Sequence, residues 1–330
     1  MPARPRVLVT RRLPAPVLER LAAACELEVW SGEGVMSREE LLARVAGRAG
    51  LLTLLTDRVD AELLDAAGPG LRVVANYAVG FDNLDLDACT ARGVLATNTP
   101  DVLTEATADL AWALLLAAAR RVAEGDRFLR TGWPWVWGPE LLLGTEVHGK
   151  TLGVVGFGRI GRAVARRAPG FGMPVLYTGA HRLPAAEEAA LGVGWRDLDG
   201  LLAEADFVSL HAALTPATRH LIGAEQLRRM KPTAVLVNTA RGPLVDEAAL
   251  AAALRDGQLA AAGLDVFERE PEVHPDLLGL DNVTLVPHLG SATVETRVAM
   301  GMVAAGNLLA ALAGERPPNL LNPEALGARP

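Results

Sequence analysis

Short apolar runs alternate with helix-forming segments along almost the whole chain, and this alternation constrains the fold more than any other feature of the sequence. In the first hundred residues the strand candidates are Val7–Val9, Leu27–Trp30, Leu51–Leu55, Leu71–Ala75 and Val94–Ala96, and the helix candidates between them are Pro16–Ala24, Arg38–Ala46, Ala61–Ala66 and Leu86–Arg92. Strands that alternate with helices form parallel sheets covered by helices. The sequence therefore predicts an α/β protein.

A second series of the same kind begins at Thr151. Its six strand candidates, the number in a full dinucleotide-binding sheet, are Leu152–Val155, Pro174–Tyr177, Phe207–Leu210, Ala234–Asn238, Gly263–Val266 and Val283–Val286. Helical stretches over about 103–129 and 291–313 flank this series. We predict two domains with parallel sheets, as a length of 330 residues allows. A cofactor domain of residues 102–289 is inserted into a second domain formed by residues 1–101 and 290–330.

Composition excludes several classes of protein. Half of the residues are hydrophobic and 22% are charged, so the chain can bury a large core. A net charge of −7 disfavours a general nucleic-acid or anionic-membrane binder. The longest apolar stretch, Leu110–Ala119, is about half of what spans a bilayer, and the N-terminal apolar run is too short for a signal peptide. We therefore expect no membrane association, and a small-molecule partner is favoured.

Cysteine and histidine usage indicates neither a disulfide scaffold nor a metal site. Cys25 and Cys89 are the only cysteines, and the histidines show no metal-ligand spacing. A reducing cytoplasm fits this usage.

A glycine-rich turn lies between the first strand candidate of the second series and an Ala/Arg-rich helix candidate. In Gly156-Phe157-Gly158-Arg159-Ile160-Gly161, the first glycine permits a tight turn and the second lets a pyrophosphate approach the backbone. The third, Gly161, lets the helix pack closely on the strand. Because the required strand and helix flank the motif, it predicts a dinucleotide-binding site rather than an ordinary glycine-rich turn.

The segment after the next strand candidate bears on which nicotinamide cofactor is used. An acidic residue there would hold the adenosine ribose 2′-hydroxyl, but the chain has Thr178-Gly179-Ala180-His181-Arg182. This segment leaves room for a 2′-phosphate, and Arg182 can form charge-assisted hydrogen bonds to it. We therefore expect NADPH to be favoured over NADH. The alternative is that Arg182 is a solvated loop arginine.

Three polar residues follow strand candidates of the second series, at the edge where open α/β sheets bind ligands. Arg241 can clamp a substrate carboxylate and polarise the adjacent carbonyl. His288 can protonate the carbonyl oxygen as hydride arrives, and Glu270 can accept the other imidazole N–H and stabilise the imidazolium. Taken singly, each has a simpler explanation, as a surface ion pair, a solvated carboxylate or a hydrogen-bonded core histidine.

Together these motifs resemble the D-2-hydroxyacid dehydrogenase family almost from end to end. The resemblance rests on Gly156–Gly161, on Asn238-Thr239-Ala240-Arg241-Gly242, on Gly263–Glu268 with Glu270-Pro271, and on Pro287–Thr293. Within the family, the chain is most similar to the glyoxylate and hydroxypyruvate reductases, notably at residues 76–83, 99–104 and 176–179.

The resemblance implies a fold, an activity and a set of site residues. It implies a Rossmann-type cofactor domain inserted into a flavodoxin-like substrate domain, and NAD(P)H-dependent reduction of small 2-oxo acids. It assigns catalysis to Arg241, Glu270 and His288, and substrate-carboxylate binding to the Val79-Gly80 backbone together with Arg241 and His288. The cofactor contacts it implies are Gly156, Gly158, Arg159, Ile160, Gly161, Ala180, His181, Arg182, Thr239, Ala240, Arg241, Asp265 and Gly290.

The chain departs from the family pattern at two positions. His211-Ala212-Ala213-Leu214-Thr215 lacks a proline that often precedes Leu-Thr, and the usual acidic ribose ligand is absent. The second departure favours NADPH. The cluster Trp133-Pro134-Trp135-Val136-Trp137 lies where related chains form a dimer arm, so we expect a homodimer, although these tryptophans can also pack on their own chain.

Two other functions remain open at this point. The chain could be another member of the family, such as a D-3-phosphoglycerate, D-lactate or broad 2-oxoacid dehydrogenase. It could also be a non-catalytic nucleotide-sensing protein on the same scaffold, although the presence of all three catalytic candidates favours an enzyme.

Overall fold

The computed structural model describes residues 4–327, which divide into two compact units. One unit consists of the chain up to Leu103 together with the chain from Thr293 onward, and the other is Thr104–Ala292.

The first unit is built on a five-stranded parallel sheet with strand order β2-β1-β3-β4-β5. All five predicted strands are confirmed within one or two residues. The elements are β1 (Arg6–Val9), α1 (Ala15–Ala24), β2 (Glu26–Val29), α2 (Arg38–Val45), β3 (Gly50–Thr53), α3 (Ala61–Ala67), β4 (Val73–Asn76), α4 (Leu86–Ala91) and β5 (Leu95–Thr97).

Both faces of this sheet are buried because successive side chains of a strand point to opposite faces. Leu8 and Leu51 pack with helices α2 and α3 on one face, whereas Val7, Val9 and Leu52 pack with α1 on the other. Burial on both faces explains why β1, β3 and β4 are largely continuous apolar runs, whereas the edge strand β2 alternates glutamate with apolar residues and is only partly buried.

The second unit contains a seven-stranded parallel sheet of order β12-β11-β10-β9-β6-β7-β8. Its helices and strands are α5 (Thr104–Ala119), α6 (Val122–Arg130), β6 (Leu152–Val155), α7 (Arg159–Ala165), β7 (Val175–Thr178), α8 (Ala185–Leu191), β8 (Val193–Trp195), α9 (Leu198–Glu204), β9 (Phe207–Leu210), α10 (Ala224–Arg229), β10 (Val235–Asn238), α11 (Glu247–Arg255), β11 (Ala261–Leu264), α12 (Pro275–Leu278) and β12 (Val283–Leu285).

The prediction of six strands in this region was incomplete, since β8 was missed. This edge strand has three residues, a glycine at its centre and only partial burial, so its sequence lacks the apolar run that marks the other six strands.

The single helix predicted over about 103–129 was also wrong, because α5 ends at Ala119 and α6 begins at Val122. Arg121 between them has a left-handed backbone with φ +53°. The Thr145 N–H donates to the Ala119 carbonyl at 2.8 Å, and Gly144 packs directly on that carbonyl. A chain segment more than twenty residues away therefore ends the helix, which helical composition alone does not reveal.

The last long helix, α13 (Val294–Leu312), returns to the first unit and packs beside α1 on the sheet. Thr293 caps it by accepting the Thr296 N–H, and Gly314, at φ +82°, follows its end. Across residues 4–327, none of the helices combines the length and apolarity needed to cross a membrane.

Candidate active site

The phosphate-binding turn has the geometry that its glycines predict. Gly156 follows β6 at φ +92°, and a Cβ there would lie 2.4 Å from the Ala212 nitrogen. A Cβ on Gly161 would lie 2.2 Å from the Gly156 carbonyl oxygen, so this position must also be glycine. Gly158, by contrast, faces open space at the start of α7, where Arg159 and Ile160 follow. Neighbouring atoms therefore do not require a glycine at position 158, and the space beside it is available to a ligand.

The segment that follows β7 is exposed and contains no carboxylate up to Arg182. A Cβ on Gly179 would contact only the Phe157 nitrogen, at 3.6 Å, so this position is open. Ala180, His181 and Arg182 are exposed.

Arg182 is held by a carboxylate that the sequence analysis did not single out. Its Nε lies 3.0 Å from Glu188 Oε1 and its Nη2 lies 3.1 Å from Oε2, while the guanidinium stands 5.3 Å from the Trp195 ring centre. Glu188 also accepts the Tyr177 hydroxyl at 2.8 Å. Arg182, the expected 2′-phosphate ligand, is thus ion-paired with Glu188, and its side chain is 59% exposed.

The turn after β10 is fixed by the side chain of Asn238. Its Nδ2 donates to the Arg241 carbonyl at 2.9 Å, and its Oδ1 accepts the Ala240 N–H at 3.0 Å. Arg241 Nη1 donates to the Ala240 carbonyl at 2.8 Å. The hydroxyl of Thr239, between them, is buried and has no hydrogen-bond partner among the described residues. An orphaned buried hydroxyl at the ligand edge of the sheet fits a site built to receive a polar ligand.

Glu270 and His288 form the hydrogen-bonded pair that the sequence predicts, with 2.9 Å between Oε2 and Nδ1. His288 has a left-handed backbone at φ +54°, an uncommon conformation for a residue other than glycine that is found at functional sites. Partial burial opposes ionisation of Glu270, but the His288 hydrogen bond and charge, the Phe267 N–H and the Arg241 charge together lower its pKa. The carboxylate is therefore held ionised beside the imidazole.

Asp265 fixes the segment that carries His288. Its carboxylate is fully buried and accepts the N–H groups of Leu289 and Gly290, the latter at 2.8 Å, while the His288 N–H donates to its carbonyl at 2.8 Å. Burial raises the pKa of Asp265 to about 6, and the two N–H donors and the His288 charge act in the opposite direction. Asp265 and Gly290, both expected as cofactor contacts, are thus in direct contact with each other.

A second histidine at the same edge is unsuited to donating protons. His211 follows β9, its Nε2 lies 2.8 Å from the Ser209 hydroxyl, and burial lowers its pKa to about 3. It stays neutral at physiological pH, so His288 is the better proton donor.

Val79 and Gly80 belong to the first unit, in the segment after β4. The Gly80 carbonyl accepts Asn76 Nδ2 at 2.9 Å, and the Val79 carbonyl accepts Asn98 Nδ2 at 2.8 Å. Both carbonyls therefore accept a hydrogen bond from a buried amide side chain.

The seven-stranded sheet, its glycine turn and the Glu270–His288 pair beside Arg241 define a dinucleotide-binding oxidoreductase of the Rossmann class. Residues 112–290 match the family model for the NAD binding domain of D-isomer specific 2-hydroxyacid dehydrogenases. The chain is 53% identical over 331 residues to a glyoxylate reductase of Thermococcus onnurineus, a match that covers 99% of this chain and 98% of the relative.

Solved structures support the same assignment. A crystal structure of a protein from Thermus thermophilus is 51% identical, with a TM-score of 0.89 over 96% of this chain and 99% of that one. An NADPH-dependent glyoxylate/hydroxypyruvate reductase from Sinorhizobium meliloti, crystallised with NADP and malonate, is 35% identical, with a TM-score of 0.84 and coverage of 99% of both chains. The chain belongs to the D-2-hydroxyacid dehydrogenase family, as its motifs predict, and is an oxidoreductase that uses a nicotinamide cofactor.

Proposed function

We propose that this enzyme reduces glyoxylate and hydroxypyruvate to the corresponding 2-hydroxy acids. The observation that carries the proposal is the 2.9 Å contact between Glu270 and His288, with the Arg241 charge acting on the same carboxylate. A proton donor and a guanidinium at the ligand edge of one sheet suit a substrate with a carbonyl beside a carboxylate. Related enzymes with full-length similarity are named for glyoxylate reduction, which favours the smallest 2-oxo acids.

Each side chain has a distinct role in the proposed reaction. The cofactor, when bound, supplies the hydride. Arg241 clamps the substrate carboxylate and polarises the carbonyl. His288 donates a proton from Nε2 to the carbonyl oxygen as the C–H bond forms, and Glu270 stabilises the imidazolium through Nδ1. The 2-oxo acid gains a hydride and a proton and becomes the 2-hydroxy acid.

A kinetic panel tests this proposal. Glyoxylate, hydroxypyruvate, pyruvate and 3-phosphohydroxypyruvate are each supplied with NADPH, and the loss of cofactor absorbance is measured. We expect the highest kcat/KM for the first two. Faster turnover of the phosphorylated substrate would reassign the chain within the family, and no turnover of any 2-oxo acid would refute the proposal.

We further propose that NADPH is the preferred cofactor, with Arg182 binding its 2′-phosphate. Support comes from the open Gly179 position, the ion-paired guanidinium of Arg182 and the NADP found in the Sinorhizobium meliloti structure. The phosphates are assigned to the turn at Gly156–Gly161, and the nicotinamide end to Thr239, Ala240, Asp265 and Gly290.

We propose a cytoplasmic homodimer. Trp133, Trp135 and Trp137 are 69%, 53% and 77% exposed. A cluster of exposed tryptophans is unusual on the surface of a monomer and typical of a protein–protein interface. Light scattering on the wild type and on a Trp135→Ser/Trp137→Ser variant tests the dimer. A wild-type mass of one chain would refute the dimer, and a variant that stays dimeric would refute the role of these tryptophans in its interface.

A further inference from the structure

A buried carboxylate outside the proposed catalytic set joins the start of helix α11 to the segment before Glu270. Glu247, the first residue of α11, is only 5% exposed. Its Oε1 accepts the Glu268 N–H at 2.7 Å, and Glu268 Oε1 accepts the Glu247 N–H in return at 3.1 Å. Each residue thus supplies one side-chain acceptor and one backbone donor, which fixes both position and direction of the segment around Glu268.

The same segment is held from other sides. Glu268 Oε2 lies 2.9 Å from His220 Nε2, and a Cβ on Gly242 would lie 1.9 Å from the Phe267 carbonyl carbon. The backbone that follows Arg241 therefore lies directly against residues 267 and 268. Burial raises the pKa of Glu247, because an ionised carboxylate loses hydration when it is buried. The hydrogen bond from the Glu268 N–H offsets part of that free-energy cost.

Glu268 is two residues from Glu270, and the intervening turn is short. The Phe267 N–H donates to Glu270 Oε1 at 3.1 Å, which leaves Oε2 for His288. Any shift of residues 267 and 268 therefore moves the acceptor that orients the His288 imidazole.

We propose that Glu247 is a positioning residue for the proposed reductase reaction, acting through Glu268 to set the contact between Glu270 and His288. This inference rests on the proposed function. No hydrogen bond or ion pair described for residues 4–327 joins Glu247 to Glu270 or His288, so its effect must pass through the backbone of residues 267 and 268. A misplacement of about 1 Å in a proton-transfer pair can lower the rate on the order of 10²-fold.

Two substitutions separate the effect of side-chain length from the effect of charge at position 247. Glu247→Gln keeps the side-chain length and an oxygen that can accept the Glu268 N–H, whereas Glu247→Asp keeps the charge but is shorter by about 1.5 Å, one carbon–carbon bond. We expect kcat for glyoxylate to stay within about 3-fold in the Gln variant and to fall roughly 10- to 100-fold in the Asp variant. The KM for NADPH should change less than about 2-fold in both.

The neighbouring Asp246 provides a matched control. It caps the same helix by accepting the Ala249 N–H at 3.0 Å and is not part of the reciprocal pair. Asp246→Ala should lower the melting temperature and leave kcat near the wild-type value. Equal loss of kcat in Asp246→Ala and Glu247→Asp would mean that helix α11 stability alone matters, and would overturn the proposal.

A double-mutant cycle tests whether Glu247 acts through Glu270. In a Glu270→Ala background there is no carboxylate to position, so Glu247→Asp should lower kcat by less than about 2-fold further. Should Glu247→Asp not fold, Glu268→Ala, at a side chain 18% exposed, removes the other half of the reciprocal pair and carries the same expectations. Additive losses in the cycle, or a wild-type kcat in Glu247→Asp, overturn the positioning role. A wild-type enzyme inactive towards all 2-oxo acids would instead refute the proposed function itself.

Discussion

The buried carboxylate of Asp265 accepts the N–H of Gly290 at 2.8 Å, across 25 residues of sequence. The bond joins the end of β11 to the segment that carries His288, and a Cβ at Gly290 would lie 3.1 Å from the same carboxylate oxygen. The position of the proposed proton donor is thus set by a group that does not itself contact the imidazole in any described hydrogen bond.

Replacing Asp265 should affect stability in a pH-dependent way. Because the folded-state pKa is raised to about 6, the native protein binds a proton more tightly than the unfolded chain, and this contribution to stability is lost as pH rises from about 4 to 6. Asp265→Asn has no titrating carboxyl at this position, so this pH-dependent loss of stability is absent in the variant. The free energy of unfolding of the wild type relative to the variant should therefore fall by on the order of 1–3 kcal/mol between pH 4.5 and 7, as measured by urea denaturation. A pH-independent difference would contradict the burial of this charge.

The substitution Arg241→Lys should disable the enzyme although it preserves the charge. A lysine ammonium is a point charge and cannot present the planar two-point fork that grips a carboxylate. We expect kcat/KM for glyoxylate to fall about 10²-fold or more, with contributions from both kcat and KM, because the proposed mechanism uses the guanidinium for both binding and carbonyl polarisation. Steady-state kinetics, with the thermal unfolding midpoint as a check on folding, measures this. Kinetics within a few-fold of the wild type would remove Arg241 from the site.

Much of this arrangement follows from local sequence, and the remainder depends on distant contacts. The glycine turn is predictable because the positive φ of Gly156, the packing of Gly161 on the Gly156 carbonyl and the open space at Gly158 all belong to one short strand–turn–helix segment. The break at Arg121 is not predictable in this way, since it depends on where residues 144 and 145 pack.

The role of Glu247 shows the same limit. Its position at the start of a helix, after Asp246, suggests only an acidic residue that favours the helix dipole. Its bond to Glu268, 21 residues away, exists because β10 and β11 are neighbours in the sheet. A hydrogen bond between two residues that are so far apart in the chain is not indicated by any local sequence pattern.

Cofactor preference should depend on Gly179 and Arg182. Gly179→Asp supplies an acceptor for a ribose 2′-hydroxyl and repels a 2′-phosphate, and the open space at this position accommodates the new side chain. The ratio of kcat/KM for NADPH to that for NADH should fall at least about 10-fold, and Arg182→Ala should lower it in the same direction.

Arg196→Ala is a matched control for Arg182→Ala. Arg196 forms a comparable two-point ion pair with Glu204, at 2.7 and 3.1 Å, and is not among the expected cofactor contacts. The cofactor ratio should not change in this variant. A wild-type preference for NADH, or equal effects of the two arginine substitutions, would refute the assignment of Arg182 to the 2′-phosphate.

The pair formed by Glu270 and His288 should control how reduction depends on pH. The lowered pKa of Glu270 keeps its carboxylate ionised well into the acidic range, where its charge favours the protonated imidazole that reduction needs. In the proposed reaction the imidazole proton is consumed by reduction, so kcat/KM for reduction should fall towards alkaline pH, whereas oxidation of the hydroxy acid, which needs the neutral imidazole, should improve. Glu270→Gln removes the charge but keeps a hydrogen-bonding oxygen, so the alkaline fall in kcat/KM for reduction should move to lower pH. His288→Ala should abolish that fall together with most of the rate.

The measurement is kcat/KM for glyoxylate from pH 5 to 10, with a solvent isotope effect to show that proton transfer limits the rate. If the alkaline fall stays in place in Glu270→Gln while proton transfer is rate-limiting, Glu270 is not the electrostatic partner of His288.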